Sequence, residues 1–83
     1  MKLLSDSATR GLARLQLRRP ELRKMLAGLD RKTDEFEALC SAYEEAALAL
    51  EAWRRSDSPE CQVRAKEYQE LIEQIEGDIS VLA

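Results

Sequence analysis

The sequence predicts an all-α protein built around an antiparallel helical hairpin. Three observations support this: a helical repeat of apolar residues within residues 59–82, a proline-containing turn just before it, and a second apolar repeat that ends at the turn. The hairpin helices are expected at about residues 31–55 and 59–82, with coiled-coil-like packing and an additional N-terminal helical segment. Residues 1–83 are expected to form a single small helical domain.

The second hairpin helix carries the clearest signal. Its apolar residues are spaced by three or four positions, so they lie along one side of an α-helix. A continuous apolar stripe of this kind predicts packing against another helix. The stripe consists of Cys61, Ala65, Tyr68, Ile72, Ile75, Ile79 and Leu82.

The turn that precedes this helix is Ser56-Asp57-Ser58-Pro59. Ser58 is a suitable N-cap, and Pro59 suits the first helical position, where its missing N–H costs no hydrogen bond. A connection this short between two long helices returns the chain antiparallel. The sequence therefore predicts that the two helices lie side by side.

The first hairpin helix is predicted from its heptad spacing, which leads through Phe36 and Tyr43 to Leu50. Pairing the two helices outward from the turn places Tyr43 near Leu71 and Ile72, and Phe36 near Ile79. The heptad count extends back to Leu22 and Leu29 without a change of phase, across Gly28 and Asp30. Two interpretations follow: one helix from about residue 20 to residue 55, or two helices with a bend between Gly28 and Thr33, which we favour.

The N-terminal segment is expected to begin with a helix capped by Ser5 or Ser7. Gly11 weakens this helix, and Pro20 removes a backbone donor. We therefore predict a break between Leu17 and Pro20.

Charge divides the chain into two parts. Residues 1–32 contain nine basic and three acidic residues, a net charge of +6, whereas residues 33–83 contain four basic and thirteen acidic residues, a net charge of −9. This asymmetry indicates a basic N-terminal helical arm, residues 1–30, joined to an acidic helical hairpin, residues 31–83.

The arm has no partner within the predicted hairpin, because the second hairpin helix ends opposite residues 33–35. Two helices alone bury too little apolar surface to offset the entropy of ordering the chain, so the arm either folds back or packs on another chain. We predict self-association, with a partner or oligomer interface formed by Leu12, Leu15, Leu22, Met25, Leu26, Leu29 and Trp53.

Arginines of the arm are candidate anion contacts, namely Arg10, Arg14, Arg18 and Arg19. They suit phosphates or anionic lipid, but no aromatic residues interleave with them, and the chain as a whole is acidic. Attraction to the acidic hairpin of the same or a second chain is the favoured interpretation.

Residues for chemistry are few. The chain has no histidine, and Cys40 and Cys61 are expected to lie about 20 Å apart on different helices, so they are interpreted as buried free thiols. No catalytic residue, cofactor site or metal site is predicted. The glutamate pairs are expected to form a solvated face: Glu44 and Glu45, Glu67 and Glu70, and Glu73 and Glu76.

The segment Pro20-Glu21-Leu22-Arg23 and the pattern Phe36-x-x-Leu39-x-x-x-Tyr43 resemble the YdcH-like family of short bacterial helical-hairpin proteins, whose function is uncharacterised. The resemblance covers residues 20–83. It implies a cytoplasmic hairpin that associates with itself or with partners, and it implies no catalytic residue. The pair Tyr68-Gln69 is also similar to short hairpin co-chaperones of type III secretion needle subunits.

These observations predict a non-enzymatic helical protein–protein interaction or assembly module that associates with itself or with another helical protein. Two alternatives stay open: a small co-chaperone of a secretion-system subunit, and a binder of nucleic acid or lipid surfaces through residues 10–24. Nucleic acid and small-molecule substrates are not the expected partners. The start of the sequence lacks an apolar leader and no stretch is long enough to span a bilayer, which predicts a cytoplasmic location.

Overall fold

The computed structural model describes residues 4–28 and 34–82. In this part of the chain all regular structure is helical, which confirms the predicted all-α class. The elements are α1 (Asp6–Arg18), a 3-10 turn (Pro20–Leu22), α2 (Arg23–Ala27), α3 (Asp34–Arg54) and α4 (Cys61–Val81).

Helix α3 lies at the centre, with α1 and α4 packed on two of its faces. Helix α4 runs antiparallel to α3: the Tyr43 hydroxyl donates to Glu76 Oε2 at 2.8 Å, and Arg54 Nη2 donates to Gln69 Oε1 at 3.3 Å. As the position on α3 advances, the position on α4 falls, which confirms the predicted hairpin. The hairpin helices begin and end a few residues from the predicted bounds, and residues 31–33 lie outside the described residues.

Helix α1 runs parallel to α3. The backbone N–H of Ser5 donates to Glu37 Oε2 at 3.2 Å near one end, and Arg14 Nη1 donates to Glu51 Oε1 at 2.8 Å near the other. The N-terminal arm therefore folds back on its own hairpin, which was one of the two arrangements left open by the sequence. The prediction of a break after Leu17 is confirmed, because α1 ends at Arg18.

Local side chains explain where these helices begin. Ser5 Oγ accepts a hydrogen bond from the N–H of Ala8 at 3.1 Å, so Ser5 is the cap of α1. Ser58 Oγ accepts a hydrogen bond from the N–H of Glu60 at 3.3 Å. The prediction of Ser58 as N-cap and Pro59 as first helical residue is wrong by two positions, because α4 begins at Cys61 and Glu60 occupies the N-cap position.

Helix α2 ends at Ala27 and is followed by a turn at Gly28, so no single helix continues from Pro20 through Gly28. The N–H of Gly28 donates to the carbonyl of Met25 at 3.1 Å and closes this last turn. The predicted bend between Gly28 and Thr33 falls mainly on residues 29–33, which lie outside the described residues.

The core is one cluster to which every α-helix contributes. Its buried hydrophobic members are Ala8, Leu12, Leu15, Leu26, Phe36, Cys40, Tyr43, Ala46, Leu50, Ile72, Ile75 and Ile79. The bundle is elongated, with extents of 45 × 23 × 18 Å. Its radius of gyration of 13.5 Å exceeds the roughly 12 Å expected for a compact domain of this length.

Gly11 lies where α1 comes closest to α3. A Cβ at this position would overlap the carbonyl oxygen of Cys40 and would lie 2.8 Å from its carbonyl carbon and 3.3 Å from the backbone N of Glu44. Because these obstacles are backbone atoms, they cannot move aside by a change of rotamer. The glycine, interpreted from the sequence only as a weak helix former, therefore permits the two helices to meet.

We expect Gly11→Ala to destabilise the protein by about 1–3 kcal/mol, because the helices must separate to admit one methyl group, and this cost exceeds the gain in helix propensity of about 1 kcal/mol. Gly77→Ala is the matched control. A Cβ at this second helical glycine meets no atom within 4 Å, so we expect a gain of up to about 1 kcal/mol. Urea unfolding measures both changes. Equal gains in stability for the two variants would contradict the close contact.

Candidate protein-interaction groove

A groove of about 380 Å³ lies between α1 and α4, over the middle of α3, and we refer to it as the α1–α4 groove. It is lined by Arg14, Leu17, Arg18, Tyr43, Ala47, Leu50, Glu51, Arg54 and Ile72. Three helices contribute to it, so it exists only because α1 folds back on the hairpin.

The bottom of the α1–α4 groove is apolar. Tyr43, Leu50 and Ile72 are buried side chains of the α3 and α4 stripes, and Ala47 is half-buried beside them. Leu17 lies at the edge, with 77% of its surface exposed. A leucine this exposed beside an apolar recess is the most conspicuous unburied apolar feature of the groove.

Arg14 connects α1 to α3 through hydrogen bonds to two glutamates. Its Nε donates to Glu44 Oε1, and its Nη1 donates to Glu51 Oε1 at 2.8 Å. The hydrogen bond from Arg14 holds the pKa of Glu51 below its ordinary value, and the bonds to Glu51 and then Glu44 raise the pKa of Arg14. The guanidinium is thus committed to two carboxylates of its own chain.

Glu76 connects α4 to α3 and to the C-terminal end of α1. It accepts hydrogen bonds from Arg18 Nε at 2.7 Å and the Tyr43 hydroxyl at 2.8 Å through Oε2, and from Arg19 Nη1 at 3.2 Å through Oε1. Only 3% of Glu76 is exposed, and its location is tolerable because both carboxylate oxygens have donors. We refer to Glu76, Arg18, Arg19 and Tyr43 as the Glu76 cluster.

Burial raises the pKa of Tyr43, and its hydrogen bond to Glu76 raises it further. The phenol is therefore neutral at physiological pH and acts as a donor. A second, more polar cavity of about 290 Å³ adjoins the cluster and is lined by Arg18, Arg19, Glu73, Glu76, Gly77 and Ser80.

The solvated face predicted for the paired glutamates is wrong for Glu44 and Glu76, which are 4% and 3% exposed. Both lie under the basic arm, which the sequence did not place. The spacing of four between Arg14 and Arg18 places both on one side of α1, but their partners lie on two helices: Arg14 binds Glu44 and Glu51 of α3, and Arg18 binds Glu76 of α4.

The residues predicted as a partner interface fall into different environments. Leu12, Leu15 and Leu26 are buried in the core, so in this fold they are not accessible to a partner. Leu22 and Met25 are partly buried against the core, Trp53 is half-buried, and Leu29 lies outside the described residues. Leu17, which sequence reasoning did not select, is exposed instead.

The candidate anion contacts also separate. Arg14, Arg18 and Arg19 bind carboxylates of the same chain, in agreement with the favoured interpretation, and Arg10 is exposed. Cys40 is buried and Cys61 is half-buried, and neither forms a disulfide. Within residues 4–28 and 34–82, no group of three or more cysteine, aspartate or glutamate side chains is arranged to hold a metal ion.

No helix in the described ranges combines the length and apolar character needed to cross a membrane. Comparisons with protein-family models, curated proteins and solved structures give no match to this chain. The resemblance to the YdcH-like family therefore stays a prediction.

We expect Glu76→Gln to lower the free energy of unfolding by about 1–3 kcal/mol, because the charge that two guanidinium groups share is lost. The cost stays below that of a fully buried pair, since Arg18 and Arg19 are 43% and 44% exposed and can return to water. Glu73→Gln, on an exposed position of the same helix, should change stability by less than about 0.5 kcal/mol. Equal effects in chemical denaturation would rule out the Glu76 cluster.

The raised pKa of Tyr43 predicts an alkaline loss of stability. Above pH ~10 a tyrosine in the unfolded chain ionises while Tyr43 in the folded chain does not, so the unfolded state binds fewer protons and stability falls as pH rises. The contribution is fully present below that pH. Tyr43→Phe removes this dependence, so the stability difference between wild type and variant should shrink from about pH 9 to about pH 11. Unfolding measured across this range tests it, and parallel pH profiles would contradict it.

Proposed function

We propose that this chain is a non-enzymatic helical protein–protein interaction module that holds an amphipathic helix in the α1–α4 groove. The observation that carries the proposal is the apolar bottom of this groove with the exposed Leu17 beside it. An amphipathic helix presents apolar residues every three or four positions and binds through a few of them to an apolar groove.

The rim of the α1–α4 groove suits a protein helix. Arg54 and Glu51 lie close to the apolar bottom, and 42% of the Glu51 side chain is exposed. An apolar centre with charged groups of both signs around it is the usual anatomy of a protein interface. A helix with apolar residues on one side and polar residues beside them would meet both parts.

The contacts of the arginines favour protein over phosphate. Arg14 and Arg18 each bind a carboxylate that is at most 5% exposed at its side chain, and Arg19 shares the second of these carboxylates. A phosphate ligand would have to displace these charge-assisted bonds. The positive charges of these three arginines are therefore matched by carboxylates of the same chain.

The internal polar groups also support a non-enzymatic function. In the described part of the chain every buried side-chain nitrogen or oxygen has a hydrogen-bond partner. Tyr43 and Glu76 satisfy each other and the arginines, which fits a role in fixing the helices. Neither Cys40 nor Cys61 forms a disulfide, which fits the reducing cytoplasm, where we place the module.

The test is a photo-crosslinking amino acid at position 17, incorporated into the protein in the cells that produce it. We expect covalent adducts with protein, because Leu17 borders the groove. The same amino acid at Val81, which is 82% exposed on α4 and does not line the groove, is the matched control and should give few adducts. The adducts at position 17 should disappear when Ala47→Arg fills the groove. Equal labelling at both positions, or none at position 17, would contradict the proposal.

A further inference from the structure

We infer that a second copy of this chain covers the α1–α4 groove. In this dimer Leu17 of each chain is inserted between the apolar residues of the groove of the other chain. This inference rests on the proposed interaction function and adds the identity of the partner. It predicts a twofold-symmetric dimer in which the groove is incomplete until the second chain supplies its leucine.

The surface around Leu17 has the shape that a twofold interface requires. A twofold interface joins one patch to itself, so the patch must carry both a projection and a recess that receives it. Leu17 projects, with 77% of its surface exposed, and it borders a recess whose buried walls are Tyr43, Leu50 and Ile72. The projecting Leu17 and the recess therefore lie in one patch, as a twofold interface requires.

The charged residues of the α1–α4 groove also suit contact with a second copy. A patch of one sign would repel its copy, but this groove carries an exposed cation and an exposed anion. Arg54 donates to the neutral side-chain oxygen of Gln69 at 3.3 Å, so its positive charge is not matched there by a carboxylate. Glu51 has one oxygen on Arg14, while the other is 4.0 Å from Arg55. A twofold arrangement allows Arg54 of each chain to approach Glu51 of the other.

The accessible surface area of the chain is larger than that of a compact monomer. The chain exposes 5568 Å², roughly 500 Å² more than a compact monomer of its 9.5 kDa mass. A stable interface of standard size takes about 800 Å² from each partner. A dimer through one long side of the bundle would remove the excess and leave a normal surface per chain.

Sedimentation equilibrium of the full purified chain tests the inference. We expect a mass of twice 9.5 kDa at micromolar concentration. Leu17→Glu should weaken dimerisation at least about tenfold, because each of the two apolar sites loses a leucine and gains a carboxylate. Val81→Glu, a matched change at a comparably exposed position outside the groove, should leave the dissociation constant unchanged.

A second pair of variants tests the charges. Arg54→Glu places carboxylates opposite Glu51 of the second copy and should weaken the dimer severalfold, more at low than at high salt. Lys66→Glu makes the same charge change at an exposed position that does not line the groove and should have little effect. Circular dichroism on each variant distinguishes loss of the interface from loss of the fold.

A wild-type chain that stays monomeric throughout the micromolar range overturns the inference, as does a dimer that tolerates Leu17→Glu. If such a monomer still gives adducts with a different protein at position 17 in cells, only the second copy is excluded and the proposed interaction function stands. A monomer without adducts excludes both.

Discussion

The contact between Gly11 and the backbone of α3 is the constraint on which the rest of the structure depends. Because residue 11 has no side chain, α1 can lie against the carbonyl group of Cys40. The short distance between α1 and α3 brings Leu12 and Leu15 into the core. It also allows Arg14 and Arg18 to reach carboxylates on α3 and α4. A wider spacing would remove the burial and the ion pairs together.

Apolar burial and the ion pairs have different roles. Each fully buried leucine, isoleucine or phenylalanine contributes about 1.5–3 kcal/mol, so the core that includes Leu15, Leu26, Phe36 and Ile79 supplies most of the stabilisation. Buried charge pairs often contribute little net stability, since desolvation offsets their attraction. The buried carboxylates of Glu44 and Glu76 instead require guanidinium groups within reach, and this requirement favours the arrangement in which α1 packs against α3 and α4.

The hairpin was accessible from the sequence because its signals are local. Apolar spacing along α4 and the break before Pro20 each depend on a few neighbouring residues, and the structure agrees with them. The predicted cap at Ser58 lies two residues before the N-cap position, which Glu60 occupies. The α1–α4 groove and the Glu76 cluster were harder to predict, because they depend on where α1 packs on the hairpin. Glu76 was assigned to solvent since an isolated hairpin would leave it there, and Gly11 was judged only by helix propensity.

Most leucines of the predicted interface are buried for the same reason, namely that α1 packs on the hairpin. The leucines of the arm had no partner in a two-helix hairpin, so an external partner was a natural interpretation. Once α1 lies on α3, Leu12, Leu15 and Leu26 are enclosed, while Leu17 stays exposed beside the α1–α4 groove. Self-association itself stays a prediction, but Leu12, Leu15 and Leu26 cannot form its interface in this fold, because they lie in the core.

Amide hydrogen exchange of the dilute chain tests most directly whether α1 is an integral part of the bundle. The account predicts that the amides from Leu12 to Leu15 exchange only through global unfolding, with the same opening free energy as those around Tyr43 in α3, because the two helices share one core. Exchange of the α1 amides at rates near those of an unfolded segment, while α3 and α4 stay protected, would contradict it.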